Sequence, residues 1–383
     1  MAKSLVINAG SSSIKFQVFN EEESVLSGLC EMIGLETSRI IVKTDSEKEV
    51  IEIPLSNHKE AMEKIVEILR LRGLLDNLDK VIHRVVHGGE SFMETTLIDD
   101  DALDVLESLV PLAPLHNPAN IEGIRAMKDI LPDAKQVGVF DTAFHSTLPE
   151  EAYLYGTPYS WYTDHGVRRY GFHGSSHQYV INEVMEVLGN PEAKIINCHL
   201  GNGGSICASV GGKSVDTSMG MTPVEGLVMG TRSGSIDPGI IEYIMNKTGK
   251  SIEEVTKDLN KESGLKGLSG ITSDMRPLEE NFETCEHSSR ALRVYMYKLV
   301  QVIGSYIGAM GGVDAIVFTG GVGEHSPMVR NYVAEKFEFL GLELNKEAND
   351  SNDIEITTED SKVKMFVVPT NEELQMVRNA KDL

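Results

Sequence analysis

Residues 14–18 read Ile-Lys-Phe-Gln-Val, apolar at every second place, which is the period of a strand with one buried face. A Gly-Ser-Ser-Ser break separates it from the apolar run Leu5-Val6-Ile7, so the first twenty residues predict strand, turn, strand. Further strands are predicted at 39–44 (RIIVKT) and 49–55 (EVIEIPL). Over 57–73 the spacing changes: Ala61, Ile65, Ile68 and Leu69 share one helical face and Gly73 supplies a stop. A strand at 81–89 (VIHRVVHGG) follows. Next comes a helix opening on Asp99, Asp100 and Asp101, charges that suit the positive end of its dipole. Residues 136–145 (QVGVFDTAFH) read as a strand running into a polar loop.

The pattern then starts again. Residues 193–218 (AKIINCHLGNGGSICASVGGKSVDTS) give an apolar strand, a Gly/Asn/Ser turn and a second strand, in the order of residues 4–19. A helix at 288–310 leads to a strand at 314–326, as the helix at 57–73 leads to the strand at 81–89. Two similar α/β domains, each opening with a β-hairpin, are expected from this recurrence; two unrelated domains with glycine-rich turns are the alternative it leaves open. The predicted division is 1–148 and 149–371, with the final helix 372–383 packing back on the first domain.

At 383 residues the chain exceeds a comfortable single core, in keeping with two domains. A net charge of -23 argues against nucleic acid or an anionic membrane as partner, so any anion must be held by locally placed cations and backbone N–H groups. Cys30, Cys198, Cys207 and Cys285 form no CxxC pair and suit a reducing compartment. Only three apolar residues precede Asn8 after MAKS, short of a secretory signal. The uncharged run Leu299–Val313 is 15 residues with four glycines, too short to span a bilayer, and reads as a core helix. A cytoplasmic protein is expected.

Several familiar patterns fail. The GGKS at 211–214 lacks the leading glycine of a P-loop, whose place is held by Cys207. His83/His87 and His173/His177 have i, i+4 spacing without the glutamate of a zinc helix. What remains is a set of glycine-rich segments, 8–15 (NAGSSSIK), 199–205 (HLGNGGS), 229–239 (MGTRSGSIDPG) and 319–326 (TGGVGEHS), expected at the ends of apolar strands. Glycines let backbone N–H groups converge on one anion, and Lys15 and Arg232 add charge. Together they point to nucleotide phosphates.

These segments resemble the acetokinase family. NAGSSSIK and HLGNGGS match its two signature segments. RVVHGGE, LAPLHNP, VFDTAFH, YGFHGSSH, MTPVEGLVMGTRSGSIDPG, FTGGVGEHS and TNEEL also match, in family order along essentially the whole chain. The resemblance implies two duplicated ribonuclease-H-like domains around an interdomain cleft, the actin-like ATPase fold shared with sugar kinases and Hsp70. It also implies phosphoryl transfer between ATP and acetate, with Mg²⁺ (or Mn²⁺) and ATP/ADP, and a homodimer formed through the second domain. Acetate is already a deprotonated nucleophile, so the chemistry needs alignment and positive charge more than a strong base.

Residue by residue, the family's catalytic arginines match Arg84 and Arg232, whose guanidinium forks suit carboxylate and phosphoryl oxygens. A surface arginine in a salt bridge is the plainer reading of Arg84 from the residue alone. His173 matches the transition-state histidine and Asp141 the catalytic aspartate, expected to orient Arg84 or metal-bound water. The acceptor pocket matches Val86, Leu115, Phe172 and Pro223, with His116 beside it; ordinary core packing is the alternative for the apolar four. Nucleotide contacts are implied for Lys15, His199, Leu200, Gly201, Asn202, Gly203, Asp274, Met275, Arg276, Gly321, Val322, Gly323, Glu324 and His325. The family usually has Asn at position 325. Asn8 and Glu372 are implied as magnesium ligands, Asn8 standing where sugar kinases of the superfamily usually carry Asp. A propionate or butyrate kinase is the alternative within the family. An Hsp70-like ATP-driven module is the alternative outside it, and it leaves the arginines and His173 without a task.

Overall fold

A computed structural model describes residues 3–10, 12–44 and 46–383. Met1 and Ala2 of the N-terminus discussed above, Ser11 of the first glycine–serine turn, and Asp45 lie outside the described residues.

The chain divides into two compact units, residues 1–146 with 371–383, and residues 147–370. In the first, β1 (Lys3–Ala9), β2 (Ser13–Asn20), β3 (Glu23–Glu31), β4 (Arg39–Lys43) and β5 (Lys48–Glu52) form an antiparallel run. Helix α1 (His58–Leu71) then leads to β6 (Leu78–Val85). The short β7 (Thr96–Leu97), α2 (Asp100–Ser108) and α3 (Asn117–Ile130) precede β8 (Lys135–Phe140). The sheet order is β5-β4-β3-β2-β1-β6-β8-β7, with β1, β6 and β8 parallel.

The second unit holds α4 (Glu150–Tyr153), α5 (Tyr159–His165), α6 (Gly174–Leu188), β9 (Lys194–Leu200), β10 (Gly204–Val210) and β11 (Lys213–Thr217). Helices α7 (Gly239–Thr248), α8 (Ile252–Lys261), α9 (Gly264–Ser269), α10 (Met275–Glu280) and α11 (Glu286–Met310) follow. The unit ends with β12 (Ala315–Thr319), α12 (Gly320–His325), α13 (Pro327–Phe337), α14 (Lys346–Ser351) and β13 (Lys364–Val367). Its sheet runs β11-β10-β9-β12-β13.

The two sheets share one plan. β3-β2-β1-β6-β8 and β11-β10-β9-β12-β13 each join an antiparallel meander to two parallel strands on the far side of the first strand. This is the ribonuclease-H-like order, present twice, and the fold is of the actin-like ATPase class. Within the paired hairpins, Asn8 faces Lys15 as His199 faces Ser205.

Local physics accounts for the elements that carry the site. Helix α1 buries Ala61, Met62, Ile65, Val66 and Leu69 against the first sheet, and Asn57 caps it by accepting from the Glu60 N–H. Burial of each large apolar side chain contributes about 1.5–3 kcal/mol. Helix α11 buries Leu292, Tyr295, Met296, Leu299 and Ile303 in the second core and stops at Gly311, in the left-handed region at φ 65°. The final helix, α15 (Glu372–Asn379), sets Met376 and Val377 against Val6, Ile82 and Val137. No helix is long and apolar enough to cross a membrane among the described residues.

Two of the glycine-rich segments differ from expectation. The strand predicted at 314–326 ends at Thr319, and residues 320–325 coil into α12 because Gly320, at φ 77°, turns the chain and its N–H donates to Glu324 Oε1. The segment around Arg232 follows no strand: residues 218–238 are irregular between β11 and α7.

Candidate functional site

The first unit gathers a charged cluster where β6 and β8 end. β6 carries Arg84, and Asp141 follows β8 directly. Asp141 Oδ1 accepts from Arg84 Nε at 2.8 Å and Oδ2 from Nη2 at 2.7 Å. Asp141 is buried, whereas the Arg84 side chain keeps 21% of its surface. Lys15, on β2, pairs with Glu373 at 2.5 Å, and Glu372 lies beside them. Burial pushes the Glu372 carboxyl up from its ordinary range; Asp141 and Glu373 add to the rise, while Arg84 and Lys15 oppose it.

Just beyond Arg84, α3 holds the chain as it leaves the sheet. Asn120 Oδ1 accepts from the Val86 N–H and its Nδ2 donates to the Ala9 carbonyl, tying β6 to the end of β1. Asn117 takes the His87 N–H and donates to its carbonyl. Thr142 Oγ1 accepts from the Gly88 N–H. Val86 and His116 are half-buried and Leu115 is exposed. Asn8 is half-buried at the end of β1. Asn117, Asn120 and Thr142 sit within or beside the motifs named above, but only the fold shows that their side chains fix the strand ends.

The second unit brings together the histidines, the glycine loop and Arg232. His173 takes φ 58°, the left-handed region that an L-residue enters at a cost, at the head of α6. Its ring stacks on His199 with centroids 4.3 Å apart. A Cβ at Gly203 would lie 3.2 Å from Arg232 Nη1 and 4.0 Å from His173 Cε1, so the loop comes close to both side chains here. At Gly230 a Cβ would meet Asn202 Oδ1 at 2.1 Å.

Arg232 is half-buried. Its Nη1 donates to the Pro223 carbonyl at 3.2 Å and approaches Met229 Sδ at 3.8 Å, and no carboxylate pairs with it among the described residues. Burial alone lowers its proton affinity. The segment that carries it is held from behind by Arg169, which donates to the carbonyls of Thr217, Ser218 and Met219 and to Glu225 Oε1 at 2.7 Å. Tyr155 donates to the other oxygen of Glu225 and accepts from the Met221 N–H. Phe172 is buried and Pro223 half-buried.

A pocket of about 440 Å³ opens in the same unit. Gly201, Asn202, Asp274, Met275, Arg276, Gly321, Val322 and His325 line it, eight of the expected nucleotide contacts. Ser273 and Ser326, at the edges of segments already singled out, also line it, as do Leu265, Glu279 and Tyr295, which carried no sequence signal. Asp274 caps α10 and pairs with the exposed Arg276 at 3.0 Å. Burial raises the Glu279 carboxyl, which accepts from Ser326 Oγ. Gly323 and Glu324 are held from below: fully buried Arg330, pushed down to about 10 by burial, donates to both of their carbonyls. Leu200 is core and His199 Nδ1 meets Ser176 Oγ at 2.7 Å. Lys15 belongs to the first unit and is committed to Glu373.

Among the described residues no three of His, Cys, Asp and Glu group tightly enough to hold a metal by themselves. The first-unit cluster nonetheless sets three carboxylates (Asp141, Glu372, Glu373) against two cations, and one carboxyl is pushed up. Hard oxygen donors with an excess of negative charge fit Mg²⁺, which keeps waters and takes substrate phosphates as its remaining ligands.

A doubled ribonuclease-H-like fold with a glycine-lined pocket and a carboxylate-free arginine is that of an ATP-using phosphotransferase of the actin-like class. The chain belongs to the acetokinase family, whose model matches residues 3–378. It is 51% identical to the acetate kinase of Natranaerobius thermophilus over 100% of this chain and 99% of that protein. The crystal structure of Porphyromonas gingivalis acetate kinase superposes with a TM-score of 0.94 at 41% identity, covering 100% of this chain and 99% of that one. A propionate kinase from Francisella tularensis superposes with a TM-score of 0.96 at 39% identity over the whole of both chains.

Proposed function

We propose that the protein catalyses reversible, Mg²⁺-dependent phosphoryl transfer from ATP to acetate, giving acetyl phosphate and ADP. The observation that carries this reading is Arg232: a desolvated guanidinium without a carboxylate, beside His173 and the glycine loop 199–203, is a site awaiting an anion. In this reading Arg232 bears on the transferring phosphoryl group and His173 donates a hydrogen bond to one of its oxygens. Both are interactions that strengthen as charge spreads in the transition state. Arg84, aligned by Asp141, takes the acetate carboxylate, with Val86, Leu115 and His116 of the same unit toward the methyl group.

The 440 Å³ pocket suits adenosine: buried Met275 offers an apolar face, and Asp274 and His325 offer polar edges. The phosphates would then run along 199–203 and 321–325. Asn8 and Glu372 would hold Mg²⁺, which when bound supplies charge neutralisation to the phosphates. Because the carboxylate nucleophile arrives deprotonated, Asp141 serves as an orienting group and takes no proton.

Propionate kinase is the second reading, favoured by the superposition on the Francisella enzyme. An ATP- and Mg²⁺-dependent hydroxylamine trap with acetate, propionate and butyrate side by side separates the readings. Most product with acetate supports the first, most with propionate the second, and none with any acid refutes both.

A homodimer accords with α7, where Ile240 and Tyr243 are exposed and no residue of the helix is buried. A chain that sediments as a monomer contradicts it. The three fully buried, unpaired cysteines accord with the reducing cytoplasm.

A further inference from the structure

His173 rests on a file of three buried polar groups for which the proposed transfer has no direct use. Its Nδ1 lies 2.9 Å from Ser205 Oγ, the same oxygen lies 2.7 Å from His177 Nε2, and His177 Nδ1 lies 2.9 Å from Asn197 Nδ2. Ser205, His177 and Asn197 have no exposed surface. They come from β10, α6 and β9, so the file exists only once helix and strands have packed.

The direction of every proton in the file follows from its far end. An amide nitrogen only donates, so His177 Nδ1 must accept. A neutral imidazole that accepts at Nδ1 carries its proton on Nε2, and His177 therefore donates to Ser205 Oγ. The buried Ser205 proton needs an acceptor, and of the two partners of its oxygen only His173 Nδ1 can take it. His173 thus carries its proton on Nε2. Asn197 Oδ1 has no partner among the described residues. The order is that of the amide as it stands, with its nitrogen 2.9 Å from His177 Nδ1.

Protonating His173 at Nδ1 as well would aim an N–H at a hydroxyl whose own proton then has nowhere to go. The Arg232 guanidinium flanks the same glycine, Gly203, and its positive charge disfavours a second one on His173.

We propose that Asn197, His177 and Ser205 are positioning residues that hold His173 neutral with its proton on Nε2, so that it presents a fixed N–H donor instead of an acid. The proton arrangement stands on the hydrogen bonds alone. Its meaning for transfer rests on the reading of His173 given under Proposed function.

Long-range proton–nitrogen correlation spectra of the full chain labelled at histidine nitrogens read the tautomers near pH 7, with His173 assigned by its loss in His173→Gln. Both His173 and His177 are expected as Nε2–H tautomers; His173 found as Nδ1–H or doubly protonated overturns the proposal. Asn197→Asp puts an acceptor at the head of the file and should reverse it. His177 then carries its proton on Nδ1, and His173 becomes Nδ1–H or doubly protonated. With this, kcat should fall at least ~10-fold, as for other orienting partners, with KM little changed. His173 unchanged in a folded Asn197→Asp protein whose His177 has lost its Nε2 proton overturns the proposal. Should that variant not fold, or its His177 keep that proton, Ser205→Ala is expected to give mixed His173 tautomers, and a single unchanged tautomer overturns it. Reversed tautomers with undiminished kcat would uphold the file and refute the phosphoryl role of His173.

Discussion

Arg84 and Asp141 form a two-point ion pair, Nε to Oδ1 at 2.8 Å and Nη2 to Oδ2 at 2.7 Å, that fixes the plane of the guanidinium. The aspartate is spent on the arginine, which makes it an aligning group. Asp141→Ala should therefore free Arg84 to move. Turnover is expected to drop about 100-fold, the cost of a misplacement near 1 Å. Because the aspartate is buried, the fold should also lose about 3 kcal/mol. Steady-state kinetics with acetate varied, together with urea unfolding, check both; full activity would show that Arg84 needs no aspartate.

Arg232 should behave in the opposite way. It has burial to overcome and no carboxylate to compensate for it. Arg232→Ala should lower kcat by about 100- to 1,000-fold, as for loss of a transition-state donor, while the melting temperature stays level or rises. A strongly destabilised variant would mean the arginine is structural.

Val86 is half-buried, with its N–H held by Asn120. Val86→Ala removes apolar bulk while leaving that bond, and should raise the propionate-to-acetate ratio of kcat/KM about 10-fold, within the usual range for a methylene. An unchanged ratio would move the acceptor pocket away from this residue.

Glu279 gives a pH dependence of definite sign. Burial lifts its carboxyl above the ordinary 4.5 in the folded chain, so the folded state binds the proton more tightly than the unfolded one. Its contribution is favourable below about 4.5 and is lost as pH rises through the lifted value. Glu279→Gln keeps an acceptor for Ser326 and should raise the melting temperature at pH 7, with the gain shrinking as pH falls toward 4.5. Thermal melts across that range check it; a loss of stability at pH 7 would contradict the sign.

Periodicity made the regular elements legible. The helix predicted over 57–73 is α1, and the strand at 39–44 is β4, because their apolar spacing is set by burial on one face. The recurrence of 4–19 in 193–218 reflects the repeated hairpin that opens each sheet. The surroundings of Arg232 were opaque, since residues 218–238 are shaped by Arg169, Glu225 and Tyr155 and by glycines at positive φ, none of which leaves a period. The file behind His173 was hidden for a related reason: its hydrogen-bonded partners are 20 to 32 residues apart and meet only through packing. Likewise Glu279 and Tyr295 reach the pocket from helices whose patterns speak only of core.

The central claim, transfer of a phosphoryl group to a carboxylate, is read most directly by phosphorus NMR of the protein with ATP, Mg²⁺ and acetate. Acetyl phosphate and ADP should grow together, only when acetate is present, and be nearly absent with Arg232→Ala. Release of inorganic phosphate at the same rate with or without acetate, and no acyl phosphate, would contradict it.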